Sequence, residues 1–281
     1  MSAGPGEQSR IYHTGDGGLH WQVQFTNMNP KGFFDSMAFW DSRHGVVVGD
    51  PIPDESGKLK FEILLTDDGQ NWKAIPTARL PAAMEGEGAF AASNTCVAIG
   101  PSASDSNIWF ATGGRAARVF HSTDRGQSWE VFDTPLVHGP ASAGIFSIAF
   151  RDAMHGVVAG GEYKRPNEDG PNLAFTEDGG KTWTITGLHP LAYFSAVAYD
   201  PKVNEAAIRG DLSAKKPRLQ PIVPERLFIV GEDFVFDLRP PNNPRRIGGK
   251  KKLGIRFNAV SAYPEGGVLV VGPKGAMAFV P

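Results

Sequence analysis

The groups in this 281-residue chain that could do chemistry are its carboxylates, arginines, histidines and one cysteine, and their spacing commits to no reaction. Gly180-Lys181-Thr182 mimics the end of a phosphate-binding loop, but position 175 is Phe175 where that loop needs glycine. Pro140-Ala141-Ser142-Ala143-Gly144 lacks the first glycine of a nucleophile elbow and precedes a strand pattern, not a helix. No H-E-x-x-H, paired C-x-x-C or EF-hand loop occurs. His44 and His155 occupy one repeated position, which argues for turn packing, so neither a metal nor a cofactor is expected. Two carboxylates about 5–9 Å apart could hydrolyse a glycoside. Asp35 and Glu87 are available, yet nothing in the spacing pairs them.

What positions these residues is a repeat. Thr14, Asp16, Gly18 and Trp21 define S/T-x-D-x-G-x-x-W. It returns with Asp67, Gly69 and Trp72, where Leu65 departs from the first position. Ser122, Asp124, Gly126 and Trp129 form the third copy, and Thr176, Asp178, Gly180 and Trp183 the fourth. The tryptophans are 51, 57 and 54 residues apart, a propeller-blade period. Glycine permits a positive φ, the aspartate accepts backbone N–H groups of its own turn, and tryptophan wedges between sheets. These residues therefore read as structural.

A second repeat lies between the boxes. Phe34 to Phe39 followed by His44-Gly45-Val46-Val47-Val48-Gly49 matches Phe146 to Phe150 followed by His155-Gly156-Val157-Val158-Ala159-Gly160, with weaker copies from Ala89, Phe194 and Phe257. The near-continuous apolar runs fit strands buried on both faces. The expected fold is all-β: a propeller of four-stranded antiparallel blades, about five of them, over one domain spanning residues 1–281.

The boxes resemble those of sialidase-type BNR repeat proteins. Together with the second repeat they resemble the photosystem II assembly and stability factor family, in its bacterial non-photosynthetic subgroup. Gly32-Phe33-Phe34-Asp35, Gly86-Glu87-Gly88-Ala89-Phe90 and Phe120-His121-Ser122-Thr123-Asp124-Arg125-Gly126 carry that likeness. It implies a seven-bladed, exported, non-catalytic scaffold that binds a protein or peptide. On that pattern the chain opens in mid-blade at Arg10-Ile11-Tyr12-His13 and lacks one or more N-terminal blades. The other arrangement is a five-bladed ring in which residues 10–25 complete the last blade. The sialidase likeness implies the alternative function, a glycoside hydrolase or carbohydrate-binding protein. Arg115, Arg118, Arg151, Arg165 and Arg209 could be proposed as its arginine trio, but the F/Y-R-I-P motif that supplies the first of them is absent.

In a propeller the starts of the inner strands and the longer loops share one face. A polar ring of Asp35, Glu87, Ser147, Ser195 and Asn258 is expected there. Above it lie Asp50, Asp54, Glu55, Glu85 and Lys164. Glu162, Tyr163, Arg165, Arg115 and Trp109 complete that set, with Trp109 and Tyr163 as aromatic anchors and the arginines as charged ones.

Composition bounds the rest. Hydrophobic residues make up 41%, enough for a core, and the net charge of -2 gives no global field for nucleic acid. Cys96 stands alone in an apolar run and reads as buried and inert. No apolar stretch reaches the roughly 20 residues of a membrane span, and Met1 to Arg10 has no signal-peptide core. Residues 209–256 carry 12 lysines and arginines against 5 acids and hold no box. They read as a degenerate basic blade with Lys215, Lys216, Arg218, Arg245, Arg246, Lys250, Lys251 and Lys252 in loops, able to make weak contact with an anionic surface.

Overall fold

Apolar runs such as Val46-Val47-Val48 and Ile108-Trp109-Phe110 form strands whose neighbouring side chains point to opposite faces. Trp109 accordingly packs toward one neighbouring sheet and Phe110 toward the other. The computed structural model describes residues 1–185, 192–200, 226–231, 234–239, 243–247, 257–263 and 266–281, with backbone only for residues 239 and 243–247.

Among the described residues the first blade is Phe34–Phe39, Gly45–Pro53, Leu59–Thr66 and Lys73–Ala74, in that order. The second is Val97–Ile99, Ile108–Ala111, Arg118–Ser122 and Glu130–Asp133. The third is Ala143–Phe150, Gly156–Glu162, Leu173–Thr176 and Thr184–Ile185, prolonged at its inner edge by Gly113–Gly114 and Glu87–Gly88. The fourth is Phe194–Tyr199, Leu227–Gly231, Phe234–Arg239 and Asn243–Ile247. The fifth has three strands, Ala259–Ala262, Val268–Val271 and Met277–Val280. Every pairing is antiparallel, as a β-propeller requires.

Among the described residues five hydrophobic clusters lie one between each pair of successive sheets, so the core there is the set of blade interfaces. One of them joins the first blade to an N-terminal hairpin, Arg10–His13 with Gln22–Thr26. Among the described residues that hairpin forms its own two-stranded sheet and pairs with no strand of the fifth blade, contrary to the five-bladed closure set out above.

Inner strands share a bulge. Pairing shifts by one residue at Asp35, Phe146 and Ser195 in the first, third and fourth blades. The bulge drives a backbone carbonyl against the facing strand. A Cβ on Gly49 would stand 2.5 Å from the Phe33 carbonyl oxygen, and one on Gly160 1.9 Å from that of Gly144. This explains the terminal glycine of the H-G-V-V-V/A-G repeat.

The second blade departs from the repeat. Its first strand starts at Val97, and ahead of it the chain makes a 3-10 turn, Ala91–Ser93. That turn touches the first strands of the other four blades and so floors the central channel. The weak copy expected to start an inner strand at Ala89 supplies this floor instead.

In the basic segment, two strands are present, Leu227–Gly231 and Phe234–Arg239. Arg245 and Arg246 lie in the strand Asn243–Ile247, not in a loop. Arg209, Lys215, Lys216, Arg218, Lys250, Lys251 and Lys252 lie outside the described residues. No helix among the described residues is long and apolar enough to cross a membrane.

Candidate functional site

The boxes sit at one end of the blades and the bulges at the other. Antiparallel pairing places Thr66 beside Gly45 and Gly45 beside Phe39, so the box hairpin follows the far end of the inner strand. In three boxes the turn is built one way. The hydroxyls of Thr14, Ser122 and Thr176 each donate to the aspartate two residues on at 2.8 Å. They accept the N–H of Gly18, Gly126 and Gly180 at 2.8–2.9 Å. Those glycines have φ of 95°, 83° and 92°, where a Cβ is strained. Trp21, Trp129 and Trp183 donate Nε1–H to the glycine carbonyls.

The donors hold the box carboxyls low. The His20 N–H is the largest influence on Asp16, with the His20 ring and the Thr14 hydroxyl adding to it, and the carboxyl is lowered to about 2. For Asp178 partial burial pulls upward, but donors from Thr182, Thr176 and Lys181 outweigh it and leave about 2.

The second box corrects the sequence alignment. Asp68, not Asp67, accepts the N–H groups of Gln70 and Asn71, at 2.8 and 2.7 Å, and Thr66 caps Gly69. The turn is one residue shorter than the others, which is why Leu65 stood in the first position. Trp72 does not donate to Gly69 either: Gln24 of the hairpin accepts from Trp72 at 3.3 Å and donates to the Gly69 carbonyl at 3.0 Å. None of these carboxylates lines the channel mouth.

That mouth is a cup of about 510 Å³. Ala91 and Ala92 of the 3-10 turn line it with Asp35, Asp50, Phe90, Phe146, Tyr163, Tyr193, Ser195, Phe257 and Asn258. Phe90 stacks on Phe146 with centroids 3.8 Å apart, and Tyr193 meets Phe146 edge-on at 4.9 Å. Tyr163 also packs edge-on against Phe146 and keeps 46% of its surface exposed.

Asp35 is 2% exposed, and its Oδ2 is buried without a hydrogen-bond partner. Burial, and then the charge of Asp50, push its carboxyl up to about 9. Burial also raises Asp50, against the opposing pull of the Ala89 N–H, which donates to its Oδ1 at 3.0 Å.

The expected polar ring is only partly present. Asp35, Ser195 and Asn258 line the cup. Glu87 does not, because Arg118 grips it through Nε at 2.9 Å and through Nη2, while Thr112 and the Met84 N–H fill its remaining acceptor sites. Ser147 is buried between blades, where its Oγ accepts from Thr95 at 2.8 Å and from the Val197 N–H at 2.9 Å. The bulge falls on Phe146, so Phe146 lines the cup where Ser147 was expected in the ring.

Trp109 is no loop anchor. It is fully buried in the second blade, stacked on Phe150 at 3.7 Å with Nε1–H donating to Gly179 O at 2.8 Å. Glu162 is buried and caps the Lys164 N–H at 3.1 Å. Arg165 pairs with Glu168 at 2.8 Å, Arg151 with Asp152 at 3.3 Å, and Arg115 is exposed beside Gly86. With Arg118 held by Glu87, no arginine trio converges on the cup among the described residues.

His44 and His155 each place Nδ1 against an aspartate three residues back, Asp41 and Asp152, at 2.8–3.0 Å, as a repeated turn would. Cys96 is buried, and that burial raises its thiol. Sequence reasoning missed the Asp35–Asp50 pairing. Asp50 was in view as a loop residue, but it belongs to the strand Gly45–Pro53, and only the bulge turns Asp35 toward it.

No protein-family model matches this chain, and no curated protein matches its sequence. Solved structures do share its fold. "YCF48 bound to D1 peptide" is 15% identical with a TM-score of 0.51, covering 88% of this chain and 63% of that one. The GH74 enzyme of Niastella koreensis is 14% identical with a TM-score of 0.54, covering 84% of this chain and 33% of that one. The major allergen Mala s 1 of Malassezia sympodialis is 11% identical with a TM-score of 0.56, covering 95% and 81%. The chain thus spans under two thirds of the YCF48 protein and one third of the GH74 enzyme.

Proposed function

We propose that this chain is a non-catalytic propeller scaffold that holds an extended segment of a partner protein in the cup at its channel mouth. The cup itself carries this reading. It is concave, walled by aromatic rings that include Phe90, Phe146, Tyr163 and Tyr193, and has a few polar groups at fixed places. Exposed Tyr163 beside buried Phe146 is the arrangement of an anchor over a desolvated pocket. The YCF48 structure, bound to a peptide as its name states, supports a peptide role for a propeller of this shape.

One observation favours a second reading, a carbohydrate-active protein: the Asp35 carboxyl, raised by burial beside Asp50, has the protonation a glycosidic acid needs. The two readings separate on paired arrays, one of immobilised random-sequence peptides and one of glycans. Retention of peptides, reduced about tenfold by Tyr163→Ala, supports the scaffold. Retention or cleavage of glycans with no peptide retained overturns it.

A further inference from the structure

The cup holds two acids and no cation. Asp50 enters it from the second strand of the first blade and Asp35 from the bulge of the first. Neither has an ion-pair partner among the described residues. Elsewhere among the described residues buried acids are paired: Glu87 with Arg118, and Asp200 and Asp237 with Arg226 at 3.2 and 3.0 Å. A buried carboxyl whose oxygen lacks any partner costs folding free energy, and such groups collect where a ligand completes them. Asp35 Oδ2 is that atom here.

The walls say what kind of ligand fits. Beside the acids, the Phe90–Phe146 stack and the edge-on Tyr163 and Tyr193 rings present apolar and π surface. A long alkyl stem lies against such surface while its charged end seeks the acids, and aromatic faces attract a cation further. Two carboxyls from different strands, with Asp35 releasing its proton to solvent as the cation arrives, suit a compact ammonium with three donors. A planar guanidinium prefers the fork of a single carboxylate.

We propose that the Asp35–Asp50 pair is an anchor for one lysine side chain of the bound partner segment. The proposal rests on the peptide reading above and names the side chain that gives that reading its specificity.

The test uses the full chain and a lysine probe: a nine-residue peptide of Gly, Ser and Ala with one central lysine. Matched peptides carry arginine, Nε-acetyl-lysine or norleucine at that position. Calorimetry is expected to show the lysine peptide binding at least about tenfold more tightly than the acetylated and norleucine ones, since only it keeps the charge. Asp35→Asn and Asp50→Asn, each checked for a cooperative melting transition no lower than that of the wild type, should remove that preference. Peptides retained on the random array with no lysine enrichment would overturn the anchor and leave the peptide site standing. An array that retains no peptide would overturn both readings. Tighter binding of the arginine peptide, or of n-butylammonium without any peptide, would overturn the lysine assignment. Preference for lysine that survives Asp35→Asn and Asp50→Asn would place the anchor elsewhere and sink it.

Discussion

At the box end of the blades, Asp16, Asp124 and Asp178 are at least partly exposed, and N–H and O–H donors fill their oxygens. At the mouth, Asp35 is buried and one of its oxygens has no partner. The same side chain is driven to about 2 at Asp16 and Asp178 and to about 9 at Asp35. The contrast separates two uses of a carboxyl. Where the turn itself supplies the donors, the acid is consumed in building the hairpin. Where the fold buries an acid without donors, something outside the chain is left to complete it.

The largest effects should come from the box tryptophans, and they split the boxes. Trp129 and Trp183 are 7% and 9% exposed and sit in the interfaces of the second blade with the first and of the third with the second. Trp21 makes the same hydrogen bond within its turn but is 58% exposed. Trp129→Ala should cost about 3–5 kcal/mol in urea unfolding, whereas Trp21→Ala should stay within about 0.5 kcal/mol. Similar losses at both would mean the tryptophan acts inside its own turn and not as a wedge between blades.

Next comes the mouth acid, with the sign reversed from a usual core mutation. Asp35 holds its proton more tightly folded than unfolded. Its contribution to stability is therefore complete below the ordinary carboxyl value near 4, and is lost as pH rises toward about 9. Asp35→Asn removes that loss and should stabilise the protein by about 1–2 kcal/mol at pH 8, with little change at pH 4, as read by thermal unfolding. A variant less stable than wild type at pH 8 would contradict an orphaned acid.

A smaller effect is expected at the box acids. Asp124→Ala strands the N–H and O–H of Ser128 and should cost about 1 kcal/mol, most of it surviving at neutral pH. Box carboxyls are depressed, so their contribution is present above their unfolded value and lost as pH falls toward about 2. The second box offers the finest discrimination: Asp68→Ala should lower the melting temperature measurably, while Asp67→Ala should not.

That last pair shows what was legible in the sequence. The boxes and the H-G-V-V-V/A-G pairs are local, so the blades and the turns were legible in their spacing. The one-residue contraction at Thr66 was visible only as Leu65 in the wrong column. Trp109 looked like a loop residue because the second blade lacks the regular inner strand, its chain having been diverted into the Ala91–Ser93 floor. The mouth was least legible. A bulge moves every later residue to the other face of the strand. That shift put Phe146 where Ser147 was expected and turned Asp35 toward Asp50, residues that are 15 positions apart on neighbouring strands. Glu87 belonged by position to the ring but is claimed by Arg118, whose partner no spacing rule reveals.

The comparison between the two ends of the blades is settled most directly by carboxyl carbon NMR of the full chain labelled on its aspartates, titrated from acid to alkaline pH, with Asp35→Asn to assign the mouth signal. The account predicts one aspartate titrating near 9 and absent from that variant, with Asp16 and Asp178 titrating near 2. If the signal lost in Asp35→Asn titrates near 4, the mouth acid is an ordinary solvated carboxylate and the account fails.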